Sequence, residues 1–434
     1  MAKYRFLSFF LCLSLLCGCT PLVAEPGTEV TETSAVEPGT EVTETSAVEP
    51  VLEEPEVLLY EDMKAIWLSQ FDLANVYRNG EMQREIGDFT EKMGRILDLV
   101  KEQGFNTVFL QIRPYGDSMY PSALFPLSGY VAAGTVEYDP VEIIVRLAHE
   151  RSLSIHAWIN PLRAMTEAEM ETVSPDFTIR QWYDDEALRG KYIVSVGGRW
   201  YLNPAYEPVR ELICAGAQEA LDLYDFDGLH MDDYFYPTTE EWFDATAYQA
   251  AGGPLTLEDF RREQISILVQ KLCGITHGSR EGRIFGISPA GNVETVYHSQ
   301  YADVYRWCRE AGFLDYICPQ VYFGLEHETH GFVKVCQTYQ DMVTLDSVSL
   351  IIGMTFGKAF TREDPWAGAG QDEWKNSRDI LARCLETTKE LEKCRGVAVF
   401  SYQYFFDPVT GEPITETEAE REAFVGILKD ISWN

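Results

Sequence analysis

Histidine is scarce in this chain, with seven in 434 residues, and none of the seven falls in an HExxH pair. His327 and His330 have HxxH spacing only, so the sequence offers no metal-ligand motif. Basic charge is scarce as well: 35 Lys and Arg stand against 69 Asp and Glu, a net charge of −34. That balance argues against nucleic acid or an anionic membrane surface as a partner. Past the first nineteen residues the cysteines are Cys214, Cys273, Cys308, Cys318, Cys336, Cys384 and Cys394, an odd number with no CxxC pair. A disulfide framework or zinc site is therefore not indicated, and buried thiols are expected. No GxGxxG turn follows a strand pattern, no Ser-His-Asp spacing stands out, and no cofactor motif is present. After the N-terminus no apolar run is long enough to cross a bilayer. Nothing in the composition speaks to oligomeric state.

The N-terminus reads as an export signal. Lys3 and Arg5 precede an apolar run over 6–16, too short to span a membrane. The run ends in Leu16-Cys17-Gly18-Cys19, which resembles the lipobox of bacterial lipoproteins. The resemblance implies cleavage after residue 18 and lipidation of Cys19, and two or more acyl chains would anchor the chain stably to a membrane. Cleavage of an ordinary secretory signal is the alternative. Residues 25–36, EPGTEVTETSAV, recur letter for letter at 37–48, and 25–56 hold ten Glu and no Lys or Arg. Such a segment cannot bury enough apolar surface to fold. It is expected to be a tether spanning roughly 30–35 Å as a coil and roughly 100–120 Å extended. The expected organisation is signal 1–18, tether 19–58 and a folded domain 59–434.

Within 59–434, strand-like and helix-like patterns alternate. Strands are expected at 64–72, 106–114, 153–161, 226–234, 283–291, 314–324, 349–358 and 396–405. Helices are expected at 91–103, 140–151, 208–224, 257–273, 301–311, 332–343, 373–392 and 416–431. Eight βα units imply an α/β fold, a (β/α)8 TIM barrel, with a doubly wound open sheet as the alternative. Three long insertions, 163–202, 235–254 and 359–372, follow strands, on the C-terminal face where barrel active sites are built. They carry Trp182, Tyr183, Trp200, Tyr201, Trp242, Phe243 and Trp366, some expected to face ligand and some to pack locally. Residues 200–202 read as the second arm of a hairpin begun at 192–196.

The most informative stretch is FDGLHMDDYFYP at 226–237. Strand alternation puts His230 and Asp232 on one face and Leu229 and Met231 on the other. With the apolar face outward against helices, Asp232 falls at the pocket end of the barrel. Asp232 and Asp233 could instead be turn or cap residues. The other strands carry polar residues in one phase near the same rim: Gln70 and Asp72, Gln111 and Arg113, His156 and Asn160, Gly286 and Ser288, Gln320 and Tyr322. Polar groups are costly inside a barrel unless they pair or meet a ligand.

Several segments resemble the glycosyl hydrolase-like family ten: AIWLSQFD at 65–72, NTVFLQIRPYGDSMYPS at 106–122, HAWINPLR at 156–163, YLNP at 201–204, DGLHMDDYFYP at 227–237, GISPAG at 286–291 and LDYICPQVYFG at 314–324. They run in order through nearly the whole domain. The resemblance implies a (β/α)8 barrel, export to the envelope and hydrolysis of glycosidic bonds, with peptidoglycan or a related amino-sugar polymer as the suggested substrate. A chitinase-type DGxDxDxE pattern is not present, because His230 and Tyr234 occupy its second Asp and its Glu positions.

Glycoside hydrolysis usually takes two carboxyls across the scissile bond. Asp232 is the expected nucleophile or base, and Asp72 the expected acid, with Glu294 as a runner-up. Strand alternation turns Asp233 away unless the strand end twists. Gln111, Arg113, Asn160, Asn203, Tyr234, Gln320 and Tyr322 are the candidate substrate-binding residues. His156 and His230 stand equally as binding groups or as core partners of Asp232. A different class remains open, a catalytically silent barrel that binds glycan. A metal-dependent deacetylase or amidase is disfavoured by the scarcity of histidine.

Overall fold

The computed structural model describes residues 56–433. The expected signal, Cys19 and all but the last three residues of the expected tether lie outside the described residues.

Eight strands form the centre: β1 Met63–Leu68, β2 Thr107–Arg113, β3 Ser154–Ile159, β4 Gly228–Met231, β5 Ile284–Ile287, β6 Tyr316–Ile317, β7 Ser349–Thr355 and β8 Cys394–Phe400. Each pairs in parallel with its chain neighbour, and β1 pairs with both β2 and β8, so the sheet closes into a barrel. That closure excludes the open-sheet alternative. Helices such as Ile86–Glu102, Pro140–Glu150, Glu207–Leu223, Leu257–Ser279 and Phe332–Met342 alternate with the strands. Local chemistry sets their starts. Asp139 accepts from the N–H groups of Val141 and Glu142, and Pro140 occupies the first turn, where its missing donor costs nothing. Two expected helices are cut short. Only Val304–Trp307 forms within 301–311, and 373–392 divides into Glu373–Asn376, Ile380–Thr387 and a 3-10 turn, Thr388–Glu390.

Strand alternation produces two apolar populations. Outward residues such as Ile66, Val108, Leu110, Ile155, Leu229, Met231, Ile287 and Val397 join the large shell beneath the helices. Inward residues form a separate plug of Ala65, Trp67, Phe109, Trp158, Tyr316, Cys318, Ile351 and Ala398. At the opposite end from the mouth, three side chains pin neighbouring strands in register. Asn106 accepts from the Lys64 N–H (2.9 Å), Asp227 from Ile155 (2.8 Å) and Asp315 from Phe285 (2.7 Å). The seven cysteines named above are free, buried thiols.

Within the plug, His230 stacks on Phe109 at 4.0 Å between ring centroids. The Trp67 indole can only donate, and it donates to His230 Nε2 (3.2 Å). His230 Nδ1 therefore carries the proton and donates to the Tyr316 hydroxyl (2.9 Å). That hydroxyl in turn donates to His156 Nδ1 (3.0 Å). Burial drives the His156 pKa down to about 4 and that of His230 well below its ordinary value, so both rings are neutral.

Tyr316 can cross the barrel because its β5 neighbour is Gly286. A Cβ at that glycine would sit 1.9–2.3 Å from three Tyr316 ring atoms. Gly286→Ala is accordingly expected to destabilise the barrel by about 1–3 kcal/mol or more through overpacking. Chemical denaturation measures this; an unchanged midpoint would show that Tyr316 moves aside freely.

Candidate active site

The chain turns out of β4 immediately after Met231, so Asp232 and Asp233 both lie past the end of regular pairing. Strict alternation no longer applies, and both side chains face one cavity at the C-terminal mouth of the barrel. The expectation that Asp233 turns away fails for that reason. The cavity is about 230 Å³, with Trp67, Trp158, Phe71, Tyr234, Tyr322 and Phe400 as its aromatic walls. Gln70, Gln111, Gln320, Ser69 and Arg163 supply the remaining polar lining.

A run of hydrogen bonds crosses four strands to reach Asp232. The Gln70 N–H donates to Gln111 Oε1 (2.9 Å), and Gln111 Nε2 donates to Asn160 Oδ1 (2.6 Å). Asn160 Nδ2 donates to Asp232 Oδ2, as does Trp158 Nε1 at 3.1 Å. The Tyr234 N–H reaches Asp232 Oδ1 at 3.3 Å. Asp233 is met by Gln320 Nε2 at 3.0 Å. Arg163 lies over the Tyr234 ring (4.3 Å) and the Tyr115 ring (4.8 Å), close enough to act on both aspartates.

Burial raises the pKa of Asp232 well above the ordinary carboxylate value, and the neighbouring Asp233 raises it further. Asp233 is raised by burial too. Two carboxyls this close do not both ionise readily, so the pair tends to retain one proton. Burial acts more strongly on Asp232 than on Asp233, while hydrogen bonding acts the other way: Asn160, Trp158 and the Tyr234 N–H all donate to Asp232 and favour its anion, and Gln320 is the side-chain donor to Asp233.

Other expected site residues sit elsewhere. Asp72 is not on a strand: β1 ends at Leu68, Ser69 caps the helix Gln70–Tyr77, and Asp72 closes a capping box. Its oxygens accept from the Ser69 N–H (2.8 Å) and the Gln403 N–H (2.7 Å), away from the cavity. Glu294 is exposed in the short helix Val293–His298 after β5, facing His298 at 3.5 Å. Arg113 points outward, because a bulge between Gln111 and Arg113 reverses the inward phase of β2. Its guanidinium packs on Phe125 (4.4 Å) and against Gly216. Asn203 is fully buried, donating to the Phe243 carbonyl (3.0 Å) and accepting from the Ala205 N–H (3.1 Å). His156 and His230 do point inward, but four residues below Asn160 and two below Asp232, roughly 13 and 7 Å down the strand. Trp158 and Trp67 line the cavity in their place.

Gln111, Asn160, Gln320, Tyr322 and Tyr234 gather at the mouth with the aspartates: Asn160 holds Asp232 and the other four line the cavity. Not singled out from sequence were Trp67, Ser69, Phe71, Arg163 and Phe400. Arg163 closes the HAWINPLR segment, and its position directly after a strand was the available signal. Of the insertion aromatics, Trp182, Trp200 and Phe243 are buried in local packing, while Trp242 and Trp366 are 54% and 86% exposed. None of the three lies against the aspartates, and neither do the two exposed tryptophans. The expected hairpin forms, Ile193–Val196 with Arg199–Leu202, and Arg163–Thr166 adds a third strand to it.

A closed parallel (β/α)8 barrel is a fold shared with glycoside hydrolases. The glycoside hydrolase domain of PgaB (BpsB) from Bordetella bronchiseptica superposes with a TM-score of 0.53 at 13% identity, over 83% of this chain and 98% of that one. Alpha-L-fucosidase isoenzyme 2 from Paenibacillus thiaminolyticus does so with a TM-score of 0.53 at 14% identity, over 84% and 49%. At such identities the likeness concerns the fold. The chain belongs to the glycosyl hydrolase-like 10 family, whose family model matches residues 62–390. Relatives include glycosyl hydrolase YngK of Bacillus subtilis (strain 168), 27% identical over 364 residues, covering 78% of this chain and 68% of the relative. Glycosyl hydrolase DigH of Escherichia coli (strain K12) is 28% identical over 345 residues, covering 74% and 77%.

The raised aspartate pair has a measurable consequence. A carboxyl whose pKa is raised on folding contributes its stability below the ordinary carboxylate range and loses it as pH climbs through the raised value. Asp233→Asn removes one such group and relieves repulsion on the other. The variant is expected to exceed the parent in stability at neutral pH by about 1 kcal/mol or more, with the gap closing as pH falls toward ~4. Denaturation series across pH measure the gap; one that does not change with pH would mean the two carboxyls do not repel.

Proposed function

We propose that this chain is a glycoside hydrolase of the bacterial envelope that cleaves peptidoglycan glycan strands by carboxyl acid–base chemistry at Asp232 and Asp233. One observation carries the reading: two adjacent, desolvated carboxyls sit among aromatic faces in a cavity that opens into a neighbouring cleft. On one side the central cavity shares Asp233 and Tyr234 with a cleft lined by Tyr201, Tyr236, Pro237 and Gln300. On the other, Phe71 meets Tyr130 edge-on (6.2 Å) and Gln70 donates to Tyr115 (3.0 Å). Tyr130 and Tyr115 line a separate groove of about 740 Å³. A cleft that runs on from the carboxyls suits a polymer, and aromatic faces suit the apolar faces of sugar rings.

A second reading, a silent glycan-binding barrel, is favoured by one observation: among the described residues no carboxyl lines the cavity across from the pair. The purified full chain incubated with peptidoglycan and with peptide-stripped glycan strands separates the two. New reducing ends, read by mass spectrometry and reduced roughly 10²–10⁴-fold in Asp232→Asn while strand binding persists, are expected for the hydrolase. Pull-down of strands by a folded protein that releases no product would favour the binder.

We also propose export and lipid anchoring through Cys19, supported by Lys3, Arg5, the 6–16 apolar run and the Leu16–Cys19 box. The acidic repeat would then hold the barrel away from the membrane surface. Cell fractionation of the full chain should find it with membranes, and Cys19→Ala should lose lipid labelling and shift it to the soluble fraction. Unchanged membrane association of that variant would sink the anchor.

A further inference from the structure

A direct or double displacement at a sugar uses two carboxyls on opposite sides of the scissile bond, about 5–5.5 Å apart for retention and about 6.5–9.5 Å for inversion. The central cavity does not offer that arrangement. Among the described residues its only carboxyls are Asp232 and Asp233. They are consecutive, with Cα atoms about 3.8 Å apart, and both approach from the β4 side. The rest of the lining is amide, indole, phenol and phenyl groups with the Ser69 hydroxyl and the Arg163 guanidinium. Neighbouring acids are already engaged. Asp72 accepts from Ser69 and Gln403, Asp117 from the Tyr115 N–H (2.8 Å), and Glu169 from the N–H (2.8 Å) and hydroxyl (2.7 Å) of Thr166.

We propose that the substrate supplies the nucleophile: the carbonyl oxygen of a 2-acetamido group attacks the anomeric carbon of the sugar in the central cavity, Asp232 accepts the acetamido N–H, and Asp233 protonates the departing oxygen. This rests on the glycosidase reading above and narrows its substrate to 2-acetamido sugars in β linkage, where the amide lies anti to the leaving group. Asp232 suits the orienting role because Asn160, Trp158 and Tyr234 fix it in place, while Oδ1 has only the single 3.3 Å contact and room for another donor. Asp233, with Gln320 as its side-chain partner, suits proton transfer.

The atoms balance over two steps. In the first, the amide oxygen bonds to C1 and the C1–O glycosidic bond breaks. The Asp233 proton goes to the leaving oxygen, and the oxazolinium ring that forms keeps its N–H on the Asp232 carboxylate. In the second, Asp233 takes a proton from water as that water adds to C1. The ring opens to regenerate the acetamide, and the product hemiacetal retains the β configuration. The net change is one water consumed.

The test uses the purified full chain on three peptide-free strand preparations: native, chemically de-N-acetylated, and de-N-acetylated then re-acetylated. The expected result is cleavage of the first and third, with kcat on the second lower by at least about 10²-fold, product of retained configuration by NMR, and competitive inhibition by a thiazoline analogue of the 2-acetamido sugar. With an aryl oligosaccharide whose leaving group departs unprotonated, Asp233→Asn should regain cleavage and Asp232→Asn should not. Equal kcat on de-N-acetylated strands, or an inverted product, would overturn the mechanism and leave the hydrolase intact. No cleavage of native strands would remove the hydrolase reading and this proposal with it.

Discussion

The mouth of this barrel depends on holding the Asp232 carboxylate where bulk water does not reach it. Desolvating a carboxylate is costly unless donors stand in for the lost water. Here Asn160 and Trp158 share one oxygen and the Tyr234 N–H takes the other. Asn160 is itself oriented by Gln111, and Gln111 by the backbone after β1. The position of one carboxyl is thus fixed by four strands in succession, and their side chains meet only because those strands pair in register. The side chains that set the register lie at the far end, where Asn106, Asp227 and Asp315 each capture a backbone N–H of the adjacent strand. A one-residue slip would turn the whole polar set into the helical shell.

Between those two ends stands an uncharged plug. The relay from Trp67 through His230 and Tyr316 to His156 has one consistent proton arrangement, and burial keeps both imidazoles neutral. No cation of the plug, among the described residues, therefore lies beneath the aspartates. Among the described residues lining the cavity, Arg163 is the one positive charge, held above by the faces of Tyr234 and Tyr115. One guanidinium beside two carboxyls leaves the pair short of compensation, which favours a retained proton. A rigid, neutral floor thus places an anion and an acid side by side.

How much of this was legible in sequence follows from how far each signal is local. Alternation along β4 was sufficient to place His230, Leu229 and Met231 on their faces, and the succession of eight βα units was sufficient for the barrel. Alternation fails where a strand stops or slips, and neither event leaves a mark in the pattern of residues. Asp72 lies four residues past the end of β1, where Ser69 has already turned the chain into a helix. Arg113 lies one bulge past Gln111. His156 and His230 have the correct phase but the wrong depth, because period two identifies a face and says nothing of height. Arg163 and Phe400 were hidden for the opposite reason: they reach the cavity from the start of the added strand Arg163–Thr166 and from the end of β8, which share no pattern with β4.

Asp72 and Asp233 together show why the site reads as chemistry rather than architecture. Both are acidic, both are near the mouth, and burial raises the pKa of both. Asp72 has the partners of a structural carboxyl: its oxygens take two backbone N–H groups and a hydroxyl, closing a helix cap and tying the segment after β8 to the segment after β1. Asp233 closes nothing of that kind. It takes one amide, lies beside a second carboxyl that repels it, and faces the cavity. An asparagine there could keep the contact to Gln320 without the repulsion, so folding alone gives no reason for the charge. What the carboxyl adds is a proton that can leave, and the adjacent Asp232, by repelling the second negative charge, helps keep that proton in place until a substrate takes it.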